Sequence, residues 1–371
     1  MADKIISWTY YNPVRVISQP GIIESLHKIV PSGKILIVTD SWFTSSGVIE
    51  RVKEYLTDRE VVIYDKVLPN PELDAIDLAC QEFKSNNFEC IMAIGGGSVL
   101  DTAKALAVLL GGKNSSTLND IFRNNKKPDW HNSLFLIAIP TTSGTGSEVT
   151  PFATVWDSVT GKKFSIAGDF VYPSIALLDP ELTIELPESI TLHTGLDALS
   201  HSLESLWNKN RTPASIGFAM SSLSLIIESL PYLINGENNI QLRTKLQGAS
   251  TLAGMAISQT RTALAHSISY PITLKLGVPH GLAASFTLGA LLDVYLENNP
   301  DSSINRENLI FIKNFLIKLD LKKVIFQYGK AEDIIALIPQ MYEPSRADNY
   351  AFAVDEKFIY QIVEKSLAID R

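Results

Sequence analysis

The chain has six histidines in 371 residues, and two of them, His266 and His280, stand fourteen positions apart in RTALAHSISYPITLKLGVPHG. A third, His201, follows Asp197 by four residues in TGLDALSHSLESLW. On a helix that spacing puts both side chains on one face. Taken singly, such a pair is usually surface decoration. Here all three histidines lie in segments that read as helical or helix-flanking, among small or apolar neighbours. Burying several imidazoles beside a carboxylate is costly unless something binds them together, and a divalent metal would do so. Three neutral imidazoles and one carboxylate leave such an ion net positive, able to polarise a carbonyl as a Lewis acid.

The elements that must position these residues change character along the chain. Up to about residue 185, short β-branched runs (KILIVTD, EVVIYDKV, ECIMAIGGG, LFLIAIPTT, SIALLDP) alternate with helix-like stretches. That alternation predicts a mostly parallel sheet covered by helices. The opening WTYYNPVRVISQPG reads as an added antiparallel hairpin. After LPES, helical patterns take over, so the expected boundary lies near Pro187: an α/β domain over 1–186 and a helical domain over 187–371.

Two loops in the first domain could hold a phosphate. In CIMAIGGGSVLDTAK an apolar strand runs into Gly95, Gly96, Gly97 and Ser98, and a helix follows with Asp101 and Lys104 on its first turns. Glycines let a ligand approach the backbone, and free amides at a helix start suit an anion. The alternative is a tight turn with no ligand. The second loop, IPTTSGTGSEVT, offers Thr141, Thr142, Ser143, Thr145 and Ser147 around Gly144 and Gly146. Two such loops at strand ends fall where open α/β sheets bind ligands, and a dinucleotide would use both. Asp40, ending KILIVTD, could accept hydrogen bonds from an adenosine ribose and repel a 2′-phosphate, favouring NAD over NADP. It could equally cap the helix that follows.

Composition narrows the partners. A formal charge of −8 argues against nucleic acid, and no uninterrupted apolar run reaches the roughly 20 residues of a membrane span. The two cysteines, Cys80 and Cys90, fit a reducing compartment and cannot build a thiolate cage, so the chain reads as cytoplasmic and any metal must sit on His and carboxylate.

The motifs GGGSVLDTAK, IPTTSGTGSEVT, LLDPELTIELP, TGLDALSHSLES and the His266 to His280 segment ending in PHG, in this order, resemble the iron-containing (group III) alcohol dehydrogenase family over nearly the whole chain. The resemblance implies a Rossmann-like α/β domain followed by an all-α domain, the fold shared with dehydroquinate synthase, with the active site in the cleft between them. It implies a metal, Fe(II) foremost and Zn(II) as an alternative, on Asp197, His201, His266 and His280. It implies pyrophosphate binding at Gly96, Gly97 and Ser98, beside Asp101, and a cofactor groove lined by Thr141, Thr142 and Thr145. Asn70 and Lys163 match positions near the cofactor, Asp40 matches the position whose acidic occupants accompany NAD, and members are commonly homodimers.

Two departures bear on the substrate. Four residues after the third implied ligand many members carry another histidine, and this chain has Tyr270, a poor base at neutral pH but a hydrogen-bond donor. Where relatives tend to glycine-rich sequence, this chain has SQTRTALAH, with Arg261 and Thr262 just before His266. Arg261 either makes a structural salt bridge or forks onto an anionic group of the substrate. TRTALAHSISYPITL and EVTPFATVWD resemble a narrower subgroup that reduces phosphonoacetaldehyde, which implies a small anionic aldehyde substrate. Rival readings are a general short-chain alcohol dehydrogenase or lactaldehyde reductase and, more distantly, a dehydroquinate-synthase-like lyase.

Overall fold

The computed structural model describes residues 7–112, 116–299 and 306–367. The chain divides after Glu185: residues 12–185 form one compact unit, and 186 onward, with the stretch up to Tyr11, the other.

The first unit is built on a six-stranded sheet: β1 (Arg15–Ser18), β2 (Lys34–Val38), β3 (Glu60–Tyr64), β4 (Cys90–Gly95), β5 (Phe135–Pro140) and β8 (Ile175–Leu178), in spatial order β1-β8-β5-β4-β2-β3. Every pairing in it is parallel. Parallel strands are covered on both faces, and β4 is buried at all six positions, which is why CIMAIG is an unbroken apolar run. One core cluster gathers Leu36, Ile91, Leu106 and Leu136, and another gathers Ile35, Ile37, Met92 and Ile137. These alternate along β2, β4 and β5, so the clusters lie on opposite faces of the sheet.

Two features differ from the sequence reading. The expected N-terminal hairpin is not formed: β1 is an edge strand lying parallel to β8, with Arg15 opposite Ile175. Its own flanks supply no partner, whereas β8 presents an open ladder. An antiparallel hairpin does occur further on, between β6 (Phe152–Asp157) and β7 (Lys162–Ala167), joined across the turn SVTG. The alternation of FATVW against KKFSI was its available signal.

The second unit is helical. The Glu188–Leu206 helix packs with Pro213–Ile227, Ile240–Thr260, Leu264–Leu276 and His280–Ser285 around Leu199, Leu203, Leu223, Ala253 and Ile268. By length and composition alone Pro213–Leu233 could cross a membrane. It carries Glu228, and Ala219, Leu223, Ile226, Leu230 and Leu233 are buried in the helical core.

Candidate metal centre and dinucleotide cradle

The Glu188–Leu206 helix brings Asp197 and His201 to one face, both buried, as the four-residue spacing requires. His266 lies in the first turn of the Leu264–Leu276 helix, which ends at Gly277, whose φ of 70° reverses the chain. Val278 and Pro279 then lead into the His280–Ser285 helix. The fourteen-residue interval is therefore a helix, a left-handed glycine turn and a second helix start.

The Nε2 atoms of His201, His266 and His280 lie 3.6, 3.5 and 3.8 Å from Asp197 Oδ1. Ligands about 2.1 Å from a tetrahedral ion stand roughly 3.4 Å apart, close to this spread. Asp197 Oδ1 and His266 Nε2 are buried with no hydrogen-bond partner among the described residues. Asp197, His201 and His266 place one ligand atom each within 4.8 Å of one another, and His280 joins from the less buried side. Orphaned buried atoms converging on one point fit a divalent metal. Burial alone would raise the Asp197 pKa, but His201, His266 and His280 outweigh it and hold the carboxyl well below its usual range.

Sequence reasoning missed Glu204. It lies on the same face at i+7 from Asp197, fully buried, and takes His266 Nδ1 at 2.6 Å and the His266 backbone N–H at 3.2 Å. Burial disfavours charge on His266, and Glu204 and Asp197 more than offset it, raising its pKa to about 10 before any metal is added.

Tyr270 lies one turn after His266, its ring 6.3 Å from that of His280 and nearly parallel to it. Its hydroxyl accepts from Arg346 Nε at 3.2 Å. Arg261 ends the Ile240–Thr260 helix with φ 61° and ψ 175°, a conformation that costs a non-glycine residue about 1–3 kcal/mol. Its exposed guanidinium makes no hydrogen bond or ion pair among the described residues, so the structural salt bridge weighed above is absent there. Thr262 is nearly buried, and Asn349 Nδ2 donates to its carbonyl at 2.9 Å.

In the other unit, β2 and β4 are neighbours while the chain proceeds from β2 outward to β3, so the switch point falls between them. Asp40 follows β2, Gly95 ends β4, and Gly96 to Ser98 follow it. A Cβ on Gly97 would come within 2.6 Å of Thr145 Cγ2, and one on Gly96 within 3.3 Å of Thr142 Oγ1. The two loops are thus in contact, with the Gly97–Gly111 helix starting at the junction. Thr141 N–H donates to Gly95 O at 3.0 Å, and Thr145 Oγ1 accepts from Ser147 N at 3.2 Å. Asp101 accepts from Ser147 Oγ at 2.6 Å and Thr154 N at 2.9 Å, so one oxygen holds the loop and the other holds β6. Lys104 is buried, its Nζ donating to Thr150 and Phe152, and burial lowers its pKa to about 8. Asn70, at φ 62°, donates its N–H to Ser98 Oγ at 3.2 Å. Lys163 Nζ stands 5.1 Å over the Trp156 ring. Asp40 caps the Ser41–Ser45 helix through Oδ1 on Trp42 N, which leaves Oδ2 without a hydrogen bond among the described residues.

A parallel sheet with glycine and hydroxyl loops at its switch point, joined in one chain to a helical unit with a histidine–carboxylate cluster, defines the class of metal-assisted dinucleotide oxidoreductases. Comparison narrows the class. The chain matches iron-containing alcohol dehydrogenase over residues 13–180 and the C-terminal part of the Fe-containing alcohol dehydrogenase family over 191–318; it belongs to that family and is an oxidoreductase. It is 33% identical over 282 residues to the NAD-dependent methanol dehydrogenase of Bacillus methanolicus, covering 74% of this chain and 72% of that one. It is 38% identical over 223 residues to the phosphonoacetaldehyde reductase of Streptomyces viridochromogenes, covering 59% and 56%. The sulfoacetaldehyde reductase of Bifidobacterium kashiwanohense, solved with NAD+, superposes with a TM-score of 0.86 at 27% identity over 98% of this chain and 100% of that one.

Proposed function

We propose that the protein reduces a short aldehyde with an anionic tail, phosphonoacetaldehyde to 2-hydroxyethylphosphonate, with NADH as hydride donor and Fe(II) held by Asp197, His201, His266 and His280. Residues 12–185, rather than the 1–186 read from the sequence, serve as the dinucleotide domain, and 186 onward with the stretch up to Tyr11 as the metal and substrate domain, in a homodimer. When bound, the metal supplies Lewis acidity toward the aldehyde oxygen. The amides after Gly96 and the Ser98 hydroxyl receive the pyrophosphate, aided by the helix that starts there. The second Asp40 oxygen accepts from the adenosine ribose, which sets NAD above NADP. Thr141, Thr142, Thr145, Asn70 and Lys163 border the cofactor. Thr262 and Tyr270 donate to the substrate, and the proton that completes the alcohol comes from solvent or the nicotinamide ribose.

The observation that carries the anionic tail is Arg261: an exposed guanidinium, unpaired among the described residues, five residues before His266, on a backbone conformation that favours glycine. Strain of this kind clusters at active sites and ligand clamps. Relatives named for a phosphonate and a sulfonate aldehyde support the same class.

The test is NADH oxidation by Fe(II)-loaded protein with phosphonoacetaldehyde and propanal. The expected preference for the phosphonate exceeds about a hundredfold in kcat/KM, roughly 2.7 kcal/mol. Arg261→Gly should lose most of that preference while stabilising the fold by about 1 kcal/mol, as the strain is relieved against a more flexible unfolded chain. Equal rates with the two aldehydes would leave a general alcohol dehydrogenase; no oxidation with either would point to the lyase.

A further inference from the structure

We infer that Arg346 is the second cation of the subsite that holds the substrate's charged tail, an inference that rests on the anionic-aldehyde reading above. Nothing in the sequence ties Arg346 to this region; the packing does. It lies on the short Pro344–Ala347 helix, half-buried, with Nε donating to the Tyr270 hydroxyl beside His280. That segment is fastened on both sides of His266. Ser267 Oγ donates to Met341 O at 2.6 Å and accepts from Glu343 N at 2.8 Å. Asn349 Nδ2 donates to Ser345 O at 3.1 Å and to Thr262 O at 2.9 Å, next to Arg261.

The hydrogen bonds of Arg346 engage one donor on each edge of its fork and leave Nη2, which both edges share. Nε serves Tyr270, and Nη1 serves Ser345 O and Oγ, both at 3.2 Å. Nη2 makes no hydrogen bond, and no carboxylate pairs with the group among the described residues. A neutral amide could meet the same structural needs. In a chain whose 40 acidic residues outnumber its 32 lysines and arginines, a guanidinium left without a carboxylate at this place has charge to spare. A charged guanidinium whose Nη2 still has both N–H groups to give can donate to a tetrahedral oxyanion. With Arg261 it supplies two positive charges, which match a phosphonate dianion better than a sulfonate monoanion.

The experiment compares kcat/KM for phosphonoacetaldehyde, sulfoacetaldehyde and propanal in the metal-loaded wild type, Arg346→Gln and Arg346→Lys. The wild type should rank dianion over monoanion over the uncharged aldehyde. Arg346→Gln keeps donors toward Tyr270 and Ser345 but no charge; it should lower the phosphonate-to-propanal ratio at least 30-fold, mainly through KM, and narrow the phosphonate-to-sulfonate ratio. Arg346→Lys should recover part of both. In Arg346→Gln the Ki of ethylphosphonate against propanal reduction should rise at least tenfold. A purely structural Arg346 would lower all three rates alike, and unchanged ratios overturn the inference. Should the Gln variant not fold, the Lys variant decides: loss of the fork should cut the phosphonate-to-propanal ratio at least fivefold, and no change overturns it. A wild type without preference for either anion sinks both readings; a preference that survives in Arg346→Gln removes Arg346 alone.

Discussion

Glu204 decides which nitrogen of His266 faces Asp197. By accepting from Nδ1 at 2.6 Å it keeps the Nδ1 proton in place and leaves Nε2, 3.5 Å from Asp197 Oδ1, as the nitrogen that would bind a metal once its own proton has gone. Burial would raise the Glu204 pKa, and His266 more than offsets this, so the carboxylate stays ionised. With Asp197 it sets two negative charges near a divalent ion. Glu204→Gln can present its amide N–H to Nδ1 and turn the tautomer round. Metal affinity, read by competition with a chelator, should then fall about 10- to 100-fold; affinity equal to the wild type would reduce Glu204 to a packing role. The residue stands in the same TGLDALSHSLES string that gave Asp197 and His201, at a helical spacing that could be read. Its partner is 62 residues away, and that distance is what the string does not encode.

Among the elements, the tightest approach that shapes the centre is between the Glu188–Leu206 and His280–Ser285 helices. A Cβ on Gly281 would sit 1.9 Å from the His193 carbonyl oxygen and 3.1 Å from Asp197 Cβ, so only a glycine lets His280 reach Asp197. Gly281→Ala should push the helices apart, cost about 3 kcal/mol as overpacking does, and lower metal occupancy. Gly217, whose added Cβ would meet nothing within 4 Å, is the control: its Ala variant should hold or raise the melting temperature. Thermal denaturation with metal analysis checks both, and a Gly281→Ala protein that melts and loads like the Gly217→Ala control would refute the close-packing argument. The PHG string is legible as a motif, but the contact that requires its glycine is not. The same divide runs through the other unit. The runs behind β2, β4 and β5 declare themselves because buried parallel strands are apolar throughout. The four-residue β1 owes its place to a ladder offered by β8, 160 positions later, and no local pattern announces that.

At the scale of the whole molecule, metal loading, protonation and stability are one linked equilibrium. Without metal, His266 has a pKa of about 10 and so carries a proton throughout neutral pH, while the depressed Asp197 carboxyl carries none. An ion can use Nε2 only by displacing that proton. Between pH 7 and 9, uptake should therefore release one proton from His266, and affinity should rise about tenfold per pH unit. The metal-free fold follows the opposite sign. A folded pKa raised above the unfolded value of roughly 6.5 gives stabilisation that is complete below that value and is lost as pH climbs toward 10. The gap in melting temperature between metal-loaded and chelator-treated protein should therefore widen steadily from pH 7 to 9. Calorimetric titration in buffers of different ionisation enthalpy counts the released protons, and melting curves at each pH measure the gap. An affinity and a gap that both stay flat across this range would mean that His266 is neutral before the metal arrives, and that Glu204 orients the imidazole without charging it.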